Sequence, residues 1–171
     1  MELRGPFLLV FLTTINFLIY TDRGAVASLI SHLKADLSVS DSYIGFAGSA
    51  FMLGYMVSSP LFAYALQYAS LNSLISIGTA IWLSATALTS LSTSYSLLLT
   101  SRILTGAGEA AFCPLVPALI LKTAPTSRKS LYLGVFYSMI TVGQAFGYLY
   151  GEFIVSVTGS WRWAFCIECT V

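Results

Sequence analysis

Of 171 residues, 57% are hydrophobic, 14% aromatic and only 9% charged, with a formal net charge of +1. A soluble domain carries about 25% charged residues, so this composition excludes an ordinary water-facing surface, and the absence of any basic block excludes a phosphate-gripping nucleic-acid binder. Three cysteines, Cys113, Cys166 and Cys169, all lie in apolar segments, and an odd count there argues against a disulfide framework.

A membrane-spanning helix needs about 20 mostly apolar residues. Five such segments are predicted. The first covers about residues 6–30 and is interrupted by Asp22-Arg23. Arg4, the apolar run 7–20 and Ala25-Val26-Ala27 have the layout of a cleavable leader. The charged pair and the apolar stretch after it fit one long interrupted helix better. His32, Lys34, Asp36 and Asp41 mark a polar loop, His32 as a solvated residue, and Ser40-Asp41-Ser42 offers a helix N-cap. The second helix is expected at 43–68, with Pro60 as a kink site, and the third at 71–91. A Ser92-Thr93-Ser94 turn leads to the fourth, 95–121. A loop with Lys122, Pro125, Arg128 and Lys129 precedes the fifth, 131–157. Thr158-Gly159-Ser160 ends that helix, and Trp161-Arg162-Trp163 has the look of an interfacial aromatic anchor. A sixth helix starts near 163 and is only nine residues long at Val171, too short to cross a bilayer. The expectation is therefore an all-α membrane protein with five complete transmembrane helices plus the start of a sixth, and a piece of something longer. Arg4, Lys122, Arg128 and Lys129 fall on one side, Lys34 and Arg162 on the other. The positive-inside rule puts the N-terminus in the cytoplasm.

The chemistry lies in the charges that interrupt apolar helices. Arg102 and Glu109 are seven residues apart, two helical turns, so they point the same way about 10 Å apart along the axis. Charges at membrane depth are costly and persist where they face a partner or a hydrated cavity. Asp22, Arg23, Arg102 and Glu109 form a candidate network with a translocation path beside it. The alternative is a static ion network that only fixes packing. Loss of hydration favours the neutral form of a carboxyl group, so Asp22 is the candidate proton carrier, with Arg23 and Glu109 tuning it. On this reading protonation weakens the attraction of Asp22 to Arg23 and favours one face of the carrier. Arg102 is suited to an anionic head group through a bidentate contact, or else to pairing with Glu109. Asn16 and Tyr20, up to two turns before Asp22, are candidates to line the same cavity. Gly45, Gly48 and Gly54 on the second helix, and Gly143, Gly147 and Gly151 every four residues on the fifth, are candidate packing ridges. Cys166-Ile-Glu-Cys169 matches C-x-x-C but lacks a second ligand pair or a thioredoxin-like setting. No metal is indicated, and no nucleophile–base set or phosphate loop points to an enzyme.

Arg102-x-x-x-Gly106-x-Gly108-Glu109-Ala110 resembles the fourth-helix motif of the major facilitator superfamily. Together with Pro114 and Pro117, Asn16 to Arg23, Ser40-Asp41-Ser42, Gly159-Ser160-Trp161-Arg162-Trp163-Ala164 and the Gly143–Gly151 ridge, it is similar to the Spinster branch of sphingolipid and lysophospholipid transporters. The resemblance covers nearly the whole chain but only the N-terminal half of the family's twelve-helix bundle. It implies a multi-pass transporter working by alternating access, with a proton as coupling ion and no other cofactor. Its partners would be membrane lipids, an amphiphilic or anionic small-molecule substrate, and the missing C-terminal half. A carrier of small organic anions or sugars, or a non-transporting membrane interaction protein, are the alternatives. One departure stands out. The loop between helices two and three, which in the family holds an acid and several cations, here carries Gln67, Tyr68, Leu71 and Asn72. Cys166 stands where Spinster relatives tend to have an arginine, and Glu152 matches no family role.

Overall fold

The structure is a computed structural model that describes residues 6–170; Arg4 and Val171 lie outside the described residues. Helix dominates throughout: α1 (Pro6–Ser28), α2 (Ile30–Leu37), α3 (Asp41–Ala65), α4 (Leu71–Ser90), α5 (Tyr95–Thr123), a 3₁₀ turn at Thr126–Arg128, α6 (Lys129–Thr158) and α7 (Arg162–Thr170). By length and composition α3, α4 and α5 can each cross a membrane. α1 and α6 are of similar length, at 23 and 30 residues.

The ends of the helices follow from local chemistry. Ser70 and Ser94 cap α4 and α5, their hydroxyls accepting from the amides of Ser73 and Leu97. Gly159, at φ 72°, closes α6 in the left-handed conformation that glycine adopts without strain. Ser40 stands at the N-cap of α3 as expected, without a side-chain capping bond. One expectation fails here. The predicted polar loop is the short helix α2, because Leu33 gives it a buried face while His32, Lys34 and Asp36 stay toward the outside.

α1 packs along α6, α3 and α4 both pack along α5, and α7 lies on α4. Glycines let these backbones meet. A Cβ on Gly24 or Gly147 would collide with Gln144 or Thr21 backbone across the α1–α6 crossing. One on Gly54 or Gly106 would strike Ile103 or Phe51 backbone across α3–α5. At α4–α5, a Cβ on Gly108 would stand 2.7 Å from the Gly78 carbonyl. Gly143 and Gly151 join the α1–α6 seam. Gly45 and Gly48 have no packing partner among the described residues: both are exposed, and an added Cβ at either meets nothing there. The i, i+3 and i+4 small-residue pattern says that a helix is able to come close, not that one does.

The core has two parts. One gathers Trp82, Phe112, Val116, Ile120 and Phe136 between α4, α5 and α6. The other joins Ala25, Leu29, Leu33, Leu98, Trp161 and Phe165. Trp161 belongs to this core, so of the two tryptophans expected as interfacial anchors only Trp163 is exposed. The outer faces are apolar and exposed, as at Met56 and Leu61 on α3 and Leu149 and Phe153 on α6. Such a surface suits hydrocarbon and not water.

Candidate functional site

Neighbouring residues on a helix point about 100° apart, and this separates the two charges of α1. Asp22 turns to Arg102 of α5, whose Nη1 donates to Oδ2 at 3.1 Å. Arg23 turns to Glu109, also on α5, donating from Nε at 2.9 Å and from Nη2 to the same Oε2. Neither the Asp22–Arg23 attraction nor the alternative Arg102–Glu109 pairing is formed. The first would need adjacent helical residues to face each other; the second would have to span two turns of one helix. The four residues come together all the same, as two crossed ion pairs between α1 and α5.

Burial is extreme at the first pair. Asp22 is 0% exposed and Arg102 4%. Arg102 is also held by the Thr89 hydroxyl of α4, which accepts from Nη2 at 2.6 Å, and its guanidinium stands 5.6 Å from the Phe165 ring centroid. The second pair is half open. Glu109 is fully buried, while a quarter of the Arg23 side chain is exposed, with the guanidinium between the Tyr20 and Phe51 rings at 4.9 and 4.6 Å. Bonding capacity is left over at both. Asp22 Oδ1, Arg102 Nε and Glu109 Oε1 are buried with no hydrogen-bond partner among the described residues. Buried polar atoms of this kind are rare and costly.

A cavity of about 70 Å³ reaches this cluster, enough for a few waters. Arg102 and Thr89 supply its polar wall; Val26, Leu33, Ile44 and Phe165 are among the apolar ones. Gly48 lines it too, which gives that glycine a place without a packing partner. Asn16 and Tyr20, like Asp22, do not line this cavity. Asn16 is buried and donates its amide to the Phe136 carbonyl of α6 at 2.8 Å, a helix-to-helix tie. Tyr20 packs on Arg23.

Three contributors are absent from the residues singled out by sequence. Thr89 and Phe165 are ordinary residues of apolar helices, and only their placement against Arg102 makes them part of the site. Glu168 carries a usable signal: it is an acid inside an apolar segment, on the same helical face as Ala164 and Phe165. Its position inside a C-x-x-C motif hides that. Cys166 and Cys169 are free thiols, and the described residues contain no metal-binding cluster.

Nearer the rim, α2 is tied to three other helices. Lys34 pairs with Asp41 of α3 at 2.6 Å, His32 lies 3.6 Å from Glu152 of α6, and Asp36 pairs with Arg162 of α7 at 2.7 Å. Arg162 also donates to the Ser92 carbonyl, and the Trp161 indole donates to Asp36. The Arg162 hydrogen bond holds the Asp36 carboxyl below its ordinary range.

The family model of the Major Facilitator Superfamily matches residues 12–171. The chain belongs to that superfamily, whose members are multi-pass membrane transporters. Within it the relatives are Spinster proteins. The chain is 33% identical to the probable sphingolipid transporter spinster homolog 1 of Arabidopsis thaliana, over 92% of its own length and 35% of the relative's. It is 32% identical to a sphingosine-1-phosphate transporter of Danio rerio, over 87% and 30%. A crystal structure of a bacterial homolog of the human lysosomal transporter Spinster, inward-facing and occupied, shares the fold with a TM-score of 0.80 at 23% identity, covering 95% of this chain and 40% of that one. The chain thus spans about a third of the length of the curated relatives it matches.

Proposed function

We propose that this chain forms the N-terminal half-bundle of a proton-coupled carrier for amphiphiles of the lysolipid or sphingolipid type, working by alternating access. The observation that carries the reading is the crossed pair of buried ion pairs, Asp22–Arg102 and Arg23–Glu109, joining α1 to α5. On this reading α1, α3, α4, α5 and α6 cross the membrane, α7 begins a sixth crossing, and the N-terminus is cytoplasmic. The packing supports two inverted three-helix repeats, with α1 and α5 as equivalent first members. α1 crosses α6 through Gly24 and Gly147, and α5 crosses α3 through Gly106 and Gly54.

The coupling step uses one cation with two claims on it. While Asp22 is ionised, it holds Arg102. A proton on Asp22 removes that charge, and the guanidinium becomes free to bind an anionic head group, with an acyl chain along the apolar wall of the cavity. Proton and substrate then travel together, because neither charge is stable at that depth alone. Names of the relatives point to sphingolipid cargo; the polar spot in an apolar wall supports the same class.

The test is uptake of a labelled lysolipid into proteoliposomes that hold the whole transporter of which this chain is part, under a pH gradient. Asp22→Asn is expected to abolish the dependence on the gradient. Unchanged gradient dependence removes the proton role of Asp22. Adding sugars or small carboxylates as competitors decides the cargo: competition by these, with none by lipid, favours a carrier of small polar solutes.

A further inference from the structure

We propose that Glu168 is a second proton-binding carboxyl group of the charge cluster and the alternative counter-ion of Arg102. This rests on the reading above and extends it to α7, which lies outside the fourth-helix motif and the charge network legible in the sequence. Glu168 is 3% exposed, and both of its carboxylate oxygens lack a hydrogen-bond partner among the described residues. α7 is set by contacts around it. The Tyr150 hydroxyl of α6 donates to the Ala164 carbonyl at 2.8 Å, and Phe165 lies beneath the Arg102 guanidinium. One turn further on, Glu168 falls on the same helical face as Phe165, the ring under Arg102.

Its charged and titratable surroundings are few. Asp22 from α1 acts on it as a like charge and Arg102 from α5 as an opposite one. Tyr150 from α6 and Cys169 on α7 itself are the other titratable neighbours. α4, on which α7 packs, has no titratable residue. Beside the mutually compensating Arg23–Glu109 pair, the charges around Arg102 are therefore one fixed cation and two acids. If both acids were ionised, one buried negative charge would be left without a partner, at a cost of several kcal/mol by the usual desolvation penalty. Neutrality requires one proton shared between two carboxyl groups. With Asp22 bonded to Arg102, the proton is on Glu168, which explains a buried carboxyl with no cationic partner. When Asp22 takes a proton while no anionic head group is bound, Glu168 gives one up and its carboxylate draws Arg102 to itself; a head group replaces it there as Glu168 takes a proton back. The unpartnered Arg102 Nε and Asp22 Oδ1 are the bonding capacity such an exchange needs. The cluster charge is zero before and after, so Arg102 changes partner without an isolated buried charge forming.

The test reads protonation and not transport, so it fails or succeeds independently of the uptake result for Asp22→Asn. The full chain, labelled with ¹³C-carboxyl glutamate and placed in lipid bilayers, is studied by infrared spectroscopy near neutral pH. The expected result is an isotope-shifted C=O stretch of a protonated carboxylic acid. It should be lost in Glu168→Gln. It should also be lost in Asp22→Asn, because Arg102 then turns to Glu168 and ionises it. Glu168→Asp covers a failure of the glutamine variant to fold, since it keeps an acid while removing the label from this site. The proposal is overturned by absence of the labelled band in the wild type, by its survival in the Glu168 variants, which assigns it to another glutamate, or by its survival in Asp22→Asn.

Discussion

Two sets of ion pairs tie the bundle together at two levels of burial, one joining α1 to α5 and the other joining α2 to α3, α6 and α7. The deep set, Asp22–Arg102 and Arg23–Glu109, has one fully buried carboxylate in each pair and unpartnered atoms beside it. The rim set around α2 is Lys34–Asp41, His32–Glu152 and Asp36–Arg162, with side chains between 30% and 85% exposed. Solvent screens the rim pairs, so each contributes little and the three act almost independently. At depth, each charge depends on its partner to exist at all. Under the proposed coupling a single proton or substrate redirects the deep set, while the rim set yields only piecemeal. On that reading bistability belongs to the deep set, and graded adhesion to the rim.

The largest expected effect follows from that dependence. Arg102→Gln strands Asp22 in a buried site and is expected to destabilise the chain by about 3–5 kcal/mol, read from reversible unfolding in mixed micelles. Adding Asp22→Asn should restore most of the loss, since removing both charges removes the desolvation penalty as well. If the double variant is as unstable as the single one, the pair acts through packing and the contrast between depths fails.

A smaller effect tests whether the deep set depends on a tight crossing. Gly106 is one turn from Arg102, and its place against the Phe51 carbonyl leaves no room for a methyl group. Gly106→Ala is expected to cost about 1–3 kcal/mol through overpacking. Gly48→Ala, at an open position on α3, should instead gain up to about 1 kcal/mol from helix propensity. Equal losses at both would mean that the whole of α3 is under tension, and not the crossing alone.

How much of this is legible in the chain varies with the kind of fact. That Asp22, Arg23, Arg102 and Glu109 come together is readable, because a charge inside an apolar run is too costly to persist without a partner or a task. Which acid meets which base is not. It depends on how far α1 is turned about its own axis relative to α5, since a rotation of one residue would set like charges against each other. Gly54 and Gly48 look alike in sequence, yet one faces Ile103 and the other a cavity. The polar run His32 to Asp36 resembles a loop because eight residues are too few to display a clear period. Leu33 alone supplies the buried side of α2. Glu168 is legible by the same rule that singles out Asp22, and only the cysteine motif around it draws attention away.

The smallest effect belongs to the rim and is the one most sensitive to solution conditions. Asp36→Asn removes the charge that meets Arg162 while leaving the Ser92 carbonyl as a second acceptor. For a pair this exposed the loss should be on the order of 0.5 kcal/mol, fading at high salt. The pH dependence has a definite sign. Arg162 holds the Asp36 carboxyl below its ordinary value of about 3.9 in the folded state. The stability it adds is therefore fully present above that value and is lost as pH falls through the lower folded value. Between neutrality and mild acid the Asp36–Arg162 tie should not change, so any pH response of the carrier in that window must come from elsewhere, the deep cluster being one source. Unfolding of Asp36→Asn and wild type at several pH values, in low and high salt, checks this. Convergence of the two curves only in strong acid or high salt supports the division between the two depths. A gap that persists in high salt, or one as wide as that of Arg102→Gln, would place Asp36 among the charges that the fold cannot do without.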